Sequence, residues 1–256
     1  AVRTLEREAG IFRVLGLGGA LPANTGMMYG LQDIRGQDFM SVRRYEELIT
    51  GWAGDFHFYS AARVPPAALA ALNVRYAVVR SDVPPPVWDW KRVHRGKADI
   101  YRVTPYHERA LVVYRHEVLT REAVLARMTA PGFDPAQTLL LEEEPPAAPP
   151  RAGAPSRTES VRIAGYGPDA VAVEAALPRP GFLLLLDTYY PGWRAEVNGT
   201  PAPLLRADYN FRAVPLPAGR STVVFSYEPA SFRIGVLLAC LAAALLMLIG
   251  CRVKKA

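Results

Sequence analysis

Cysteine is almost missing from this chain of 256 residues. The two it has, Cys240 and Cys251, both lie in one apolar run near the carboxyl end. Eleven positions apart on a helix is about 16 Å, too far for a disulfide. The polar bulk therefore has no covalent staple, and redox compartment stays open. Histidine is also scarce. His57, His94, His107 and His116 show none of the close spacings that build a metal site, so no metal and no cofactor is expected. There is no Gly-x-Ser-x-Gly nucleophile elbow and no phosphate loop. The "LGLGGA" stretch starts like a dinucleotide fingerprint. Its third glycine position is Leu21, with Pro22 behind it, and no helix opens cleanly there.

Basic runs are missing as well. The net charge of +6 owes much to Arg233, Arg252, Lys254 and Lys255, which bracket the apolar run. Elsewhere charges alternate in sign, so no stripe tracks a nucleic-acid backbone, and no nucleic-acid partner is expected. No amino-terminal signal is visible: "AVRTLEREAG" is charged from its third residue and begins with Ala rather than Met. The sequence reads as a fragment whose upstream portion is missing.

What is present is uneven. Ile234 to Cys251 carries no charge. About 18 apolar residues begin to qualify as a transmembrane helix, and the basic tail behind them supports one over 231–252. Gly235, Ala239 and Ala243 form a small-residue stripe along it, suited to helix packing.

Residues 1–143 read as a mixed α/β region. "IFRVLGL" is a short strand. "SVRRYEELI" is a helix capped by Ser41. Pro65 and Pro66 open a helix that Asn73 closes. "VRYAVV" is a strand, and "VWDWKRVHRGKADIYRV" a hairpin turning near Gly96. "RALVVYRHEV" reads as one further strand. Thr120 caps the helix "REAVLARM", and "TLLLEEE" follows as a strand. Residues 144–160 are a proline-rich linker.

From 161 to 230 the pattern is all β, with six short strands separated by Gly, Pro and Asn. This predicts a small sandwich or jelly roll. Asn198-Gly199 supplies a type I′ hairpin turn, and Pro217 to Gly219 a second turn. The expected fold class is thus α+β: a mixed region, an all-β sandwich, and one carboxyl-terminal transmembrane helix. Trp193, Ala195 and Val197 alternate into the core. Tyr189, Tyr190 and Trp193 are a surplus of rings at a Pro-Gly corner. With Asp208, Tyr209, Asn210 and Arg212 as polar neighbours, they form a candidate glycan-binding rim.

The blocks "YYPGWRAEVNG", "NFRAVPLPAG" and "VVFSYEP", running into a final apolar helix, resemble the carboxyl-terminal end of the YfhO family of bacterial membrane proteins. "FRVLGL", "PANTGMMYGLQDIRGQDFMSVRRYEEL" and "LNVRYAVV" look like the extracytoplasmic region that precedes it. That family is similar to polytopic GT-C-type glycosyltransferases acting on lipid-linked sugars. The resemblance implies an extracytoplasmic part of such a protein in the bacterial cytoplasmic membrane, its carboxyl terminus cytoplasmic. It would assist sugar transfer to envelope polymers. Implied partners are membrane lipid, an upstream transmembrane bundle of the parent, and a glycan or lipid-linked sugar. The multi-span half that holds the catalytic acid in such enzymes is absent, so no catalytic residue is assigned. Asn24, Tyr29, Asp33 and Arg35 form a candidate loop facing a membrane site. The alternative is a membrane-anchored, non-catalytic carbohydrate-binding or scaffolding domain.

Overall fold

A computed structural model describes residues 1–36, 41–54, 63–84, 88–146 and 159–253; in the last helix, side chains are described through 244 and at 246 and 247. His57, most of the proline-rich linker and the lysine tail lie outside the described residues.

The first sheet combines parallel and antiparallel strands. Helix α1 (Val2–Leu5) precedes β1 (Arg13–Leu17), and β2 (Gln32–Asp33) and β3 (Val74–Arg80) lie parallel to β1 on either side. The hairpin of β4 (Lys91–His94) and β5 (Ala98–Arg102) adds antiparallel to β3, giving the order β2-β1-β3-β5-β4. Helix α2 (Arg43–Ala53) is entered through Val42, with no side-chain cap, so Ser41 does not play the capping part its type suggested. Helix α3 (Pro66–Ala71) begins at a proline, and Asn73 follows at φ 57°, a left-handed stop that Asn tolerates.

The stretch expected as one strand near residue 110 divides in two. β6 (Ala110–Val113) and β7 (His116–Val118) bond to different neighbours and sit at opposite ends of the same sheet. Helix α4 (Arg121–Thr129) is capped by the Thr120 hydroxyl, which accepts from the Ala123 N–H at 3.3 Å. Then come β8 (Leu139–Leu141), β9 (Ser160–Tyr166), β10 (Ala170–Leu177), β11 (Gly181–Thr188), β12 (Trp193–Val197), β13 (Thr200–Ala202), β14 (Leu205–Ala207), β15 (Phe211–Leu216) and β16 (Gly219–Tyr227). β13 and β14 add two short strands to the six expected.

These strands make two stacked sheets, β13-β12-β16-β10-β9 and β6-β11-β15-β14-β8-β7. Three strands of the second sheet, β6, β7 and β8, come from before the proline-rich stretch. That sheet is a middle layer. Phe182, Leu184 and Leu186 of β11 join a core with α2, α4 and the mixed sheet. Leu183 and Leu185 point the other way, into the core between the stacked sheets. Burial on both faces explains why β11 is an unbroken apolar run. β10 is covered on one face only, and its burial alternates with a period of two.

Asn198 (φ 53°) and Gly199 (φ 75°) make the expected hairpin turn. Helix α5 (Ala230–Val253) leaves directly after β16. Among the described residues no helix is long and apolar enough to cross a membrane.

Candidate functional site: an arginine-lined cavity at one end of the sandwich

β11 ends in a charge. After Leu185 its register with β15 shifts, and the bulge turns the strand's last residues, Asp187 and Thr188, at the mouth of the sandwich core. Asp187 is buried there. β15 presents Arg212 to the same space from a position flanked by buried neighbours, opposite Leu185 in register. Arg13 arrives from the start of β1, Arg109 from just before β6, Tyr166 from the end of β9 and Gln32 from β2.

All three guanidiniums converge on one carboxylate. Arg13 Nη2 donates to Asp187 Oδ1 at 3.0 Å and Arg109 Nη1 at 2.7 Å; Arg212 Nη2 lies 3.2 Å from Oδ2. The Tyr166 hydroxyl donates to the same carboxylate at 3.1 Å and accepts from Arg109 Nη1 at 2.9 Å. Arg109, 1 % exposed, is fully engaged. Its Nε donates to Asn73 Oδ1 at 2.6 Å and its Nη2 to Gln32 Oε1 at 2.7 Å. Arg13 also donates to the carbonyls of Leu72 and Leu186, at 3.0 and 2.8 Å.

Arg212 is the exception. It is 3 % exposed, and its Nε and Nη1 are buried with no hydrogen-bond partner. Its guanidinium carbon sits 3.8 Å over the Trp193 ring, a cation–π contact that recovers part of the lost hydration.

Charge states follow from these contacts. Burial pushes the Asp187 carboxyl up, but Arg13, Arg109 and Arg212 together outweigh it and hold the group below its ordinary value. Burial lowers Arg13 and Arg212, and the Asp187 carboxylate only partly restores them. Burial and the neighbouring carboxylate raise the Tyr166 phenol, so it stays a donor. The cluster thus carries more positive than negative charge. Arg13, Tyr166, Asp187 and Arg212 of the cluster line a cavity of about 510 Å³ whose walls also include Gln32, Gly167, Thr188 and Trp193.

The residues singled out in the sequence are scattered around this centre. Trp193 and Arg212 line the cavity. Tyr209 lies on the other side of the middle sheet, its ring between Arg44 (4.7 Å) and Arg121 (5.8 Å). Its hydroxyl donates to Glu47, whose carboxylate also takes Arg121 Nη2 at 2.6 Å. Tyr209 and Asn210 are buried, and Asn210 Nδ2 donates to Thr188 Oγ1 at 3.3 Å. Tyr189 is half-buried beneath Arg206. Tyr190, 50 % exposed, is the most open of the six. The set does not assemble into one exposed rim.

In the amino-terminal loop, Arg35 clamps Asp33 with two donors, Nη2 at 2.6 Å and Nε at 3.0 Å, and Nη2 also donates to the Leu21 carbonyl. Both side chains are buried. A Cβ at Gly16 would stand 2.2 Å from Arg35 Nη2, so glycine makes this burial possible. Asn24 occupies the left-handed region (φ 66°), and Tyr29 is exposed beside Met27 and Met28. Gly235, Ala239 and Ala243 are all exposed on α5, with no protein atom near the position of a Cβ on Gly235. No group of three His, Cys, Asp or Glu able to hold a metal occurs among the described residues.

Residues 182–239 match the family model of the bacterial membrane protein YfhO. The likeness to that family covers this segment, under a quarter of the chain. No curated protein and no solved structure matches it. The YfhO segment runs from β11 into α5 and includes Asp187, Thr188, Trp193 and Arg212 of the cavity. Arg13, Gln32 and Arg109 come from outside that segment. Sequence reasoning missed Arg13, Arg109, Tyr166 and Asp187. One signal was available for Asp187: an acid directly ending a run long enough to be buried on both faces has to find cations or give up its charge.

Proposed function

We propose that this chain is the extracytoplasmic, membrane-held end of a YfhO-like protein and assists transfer of lipid-linked sugar to envelope polymers. The supporting observation is α5. It continues from the sandwich with Phe232, Ile234, Val236, Leu237, Leu238, Leu241, Leu246 and Met247 exposed. An apolar surface that continuous needs an apolar surrounding. Its uncharged stretch, Ile234 to Cys251, is 18 residues, about 27 Å of helix, close to the about 30 Å of hydrocarbon. Glu228, Arg194 and Arg233 cluster at its foot, where the polar headgroups would lie. The stripe of Gly235, Ala239 and Ala243 is then free to meet a neighbouring span of the parent. In this reading the carboxyl terminus is cytoplasmic.

Cysteine labelling tests the topology. In intact cells with a permeable outer envelope, a membrane-impermeant maleimide should label Tyr190→Cys and leave Cys240 unmodified. Labelling of Cys240, or protection of the residue introduced at 190, sinks the topology. Envelope sugar transfer by the parent, with and without this region, tests the assisting role; undiminished transfer without it removes that role.

A second reading is a membrane-anchored carbohydrate-binding module without transferase activity. It is favoured by Tyr190, exposed beside the Pro191-Gly192 corner. Calorimetric titration with envelope sugars decides it, because binding of a glycan should be lost in Tyr190→Ala.

A further inference from the structure

We propose that the cavity walled by Arg13, Gln32, Tyr166, Thr188, Trp193 and Arg212 is a binding site for a phosphate-type oxyanion. Three guanidiniums share a single carboxylate, so the buried cluster lacks negative charge. Unpaired charge in a low-dielectric space is costly unless a counter-ion supplies it. The deficit is localised on Arg212, whose Nε and Nη1 have no partner although the residue is buried and lines the cavity. The unpaired N–H groups on Nε and Nη1 can each donate to an oxygen of a phosphate once the side chain turns toward the cavity. Neutral donors line the same cavity. Gln32 gives its carbonyl oxygen to Arg109 and keeps its NH₂ group for another acceptor. The Thr188 hydroxyl accepts from Asn210 Nδ2 and retains its proton to donate. Asp187 is occupied by Arg13, Arg109, Arg212 and Tyr166, which reduces its repulsion of an incoming anion.

The cavity volume, about 510 Å³, exceeds what a bare phosphate needs and leaves room for the group it esterifies. Its position suggests the source. Gly167 and Pro168 line it, and the next residue, Asp169, accepts the Tyr227 N–H at 2.8 Å. Gly192 accepts the Glu228 N–H at 2.7 Å, and a Cβ on Gly192 would stand 3.1 Å from the Pro229 backbone. The cavity therefore opens at the end of the sandwich from which α5 departs. If α5 is inserted as proposed above, that end faces the headgroup layer. Only the source of the ligand rests on that reading; the oxyanion site itself does not.

The test uses the full chain in nanodiscs of neutral lipid. Inorganic phosphate is titrated against chloride at matched ionic strength, following tryptophan emission and thermal midpoint. The expected result is a saturable response with half-saturation at roughly 1 mM or below. The emission change should vanish in Trp193→Phe while the thermal shift persists. Both should weaken at least tenfold in Arg212→Gln. Gln32→Ala serves should Arg212→Gln not fold, because Gln32 is only partly buried; it should weaken binding several-fold. Nanodiscs containing phosphatidic acid separate the sources. A lost response to free phosphate there means that a lipid phosphate occupies the site, and an unchanged response means a soluble ligand. Either supports the site. No saturable response to phosphate in either nanodisc overturns it, as does a response equal in wild type and both cavity variants.

Discussion

Two aspartates of the middle sheet are both buried, and they end in opposite charge states. Asp187 closes β11 among three guanidiniums and is held below its ordinary value. Asp208 lies between β14 and β15, where its Oδ1 accepts the Leu140 N–H at 2.8 Å and its Oδ2 has no partner. Among the described residues no cation reaches it. Burial pushes its carboxyl up to about 8, and the one backbone donor only partly opposes that. Burial alone does not set the charge of a carboxyl; the company it is buried with does. The first aspartate is an ionic hub open to a cavity. The second is a neutral, packed acid at a corner where Asp208 and Tyr209 both adopt positive φ.

The strongest way to break the contrast is to remove the hub. Asp187→Ala leaves three converging arginines without their counter-charge and should cost about 4 kcal/mol. Chemical denaturation of the full chain in detergent measures it, and an unmoved midpoint would show that the arginines do not depend on this carboxylate.

Asp208→Asn probes the other side and should have the opposite sign. A carboxyl whose folded value is raised stabilises fully below its unfolded value near 4, and that stability drains away as pH rises toward about 8. Asn imitates the protonated acid, keeps the acceptor for Leu140 and tolerates positive φ. The variant should match the wild type near pH 4 and exceed it by of order 3 kcal/mol at pH 7. For Asp187 the linkage is reversed. Its folded value is depressed, so its contribution is present above pH 4 and fails as pH falls through the folded value. A stability gain for Asp208→Asn that did not change with pH would remove the distinction between the two acids.

Tyr209→Phe tests whether the buried corner depends on the ring or on its hydroxyl. Losing the bonds to Glu47 and Arg121 should cost about 1–2 kcal/mol, with the ring still between Arg44 and Arg121. The smallest effect belongs to Tyr190→Ala. Its side chain is exposed, so thermal stability should stay within about 0.5 kcal/mol; a larger loss would make Tyr190 part of the fold.

Much of the scaffold could be read in advance, because its signals are local. The Asn198-Gly199 turn, the proline at the start of α3, the Thr120 cap and the alternation in β10 each depend on a few adjacent residues. Reading failed where a neighbour distant in sequence intervened. "RALVVYRHEV" has the composition of one strand, yet β6 takes β11 as partner and β7 takes β8. Arg212 was noticed, but as a rim group. Its place inside depends on the register with Leu185, which no local pattern states. The sequence offers Tyr209 as a polar neighbour of a glycan-binding rim; here α2 and α4 close over it.

From its residues alone, the chain determined an α+β composition, a run of β hairpins and an apolar helix behind them. Periodicity, turn chemistry and hydropathy act over a handful of positions and survive without knowledge of the fold. Tertiary structure decided which charges meet. Positions 13, 109, 187 and 212 come together only when the mixed sheet docks against the middle layer and β15 pairs with β11. Electrostatic free energy depends on distance through space and on the dielectric around the group, and neither is written in the order of the residues.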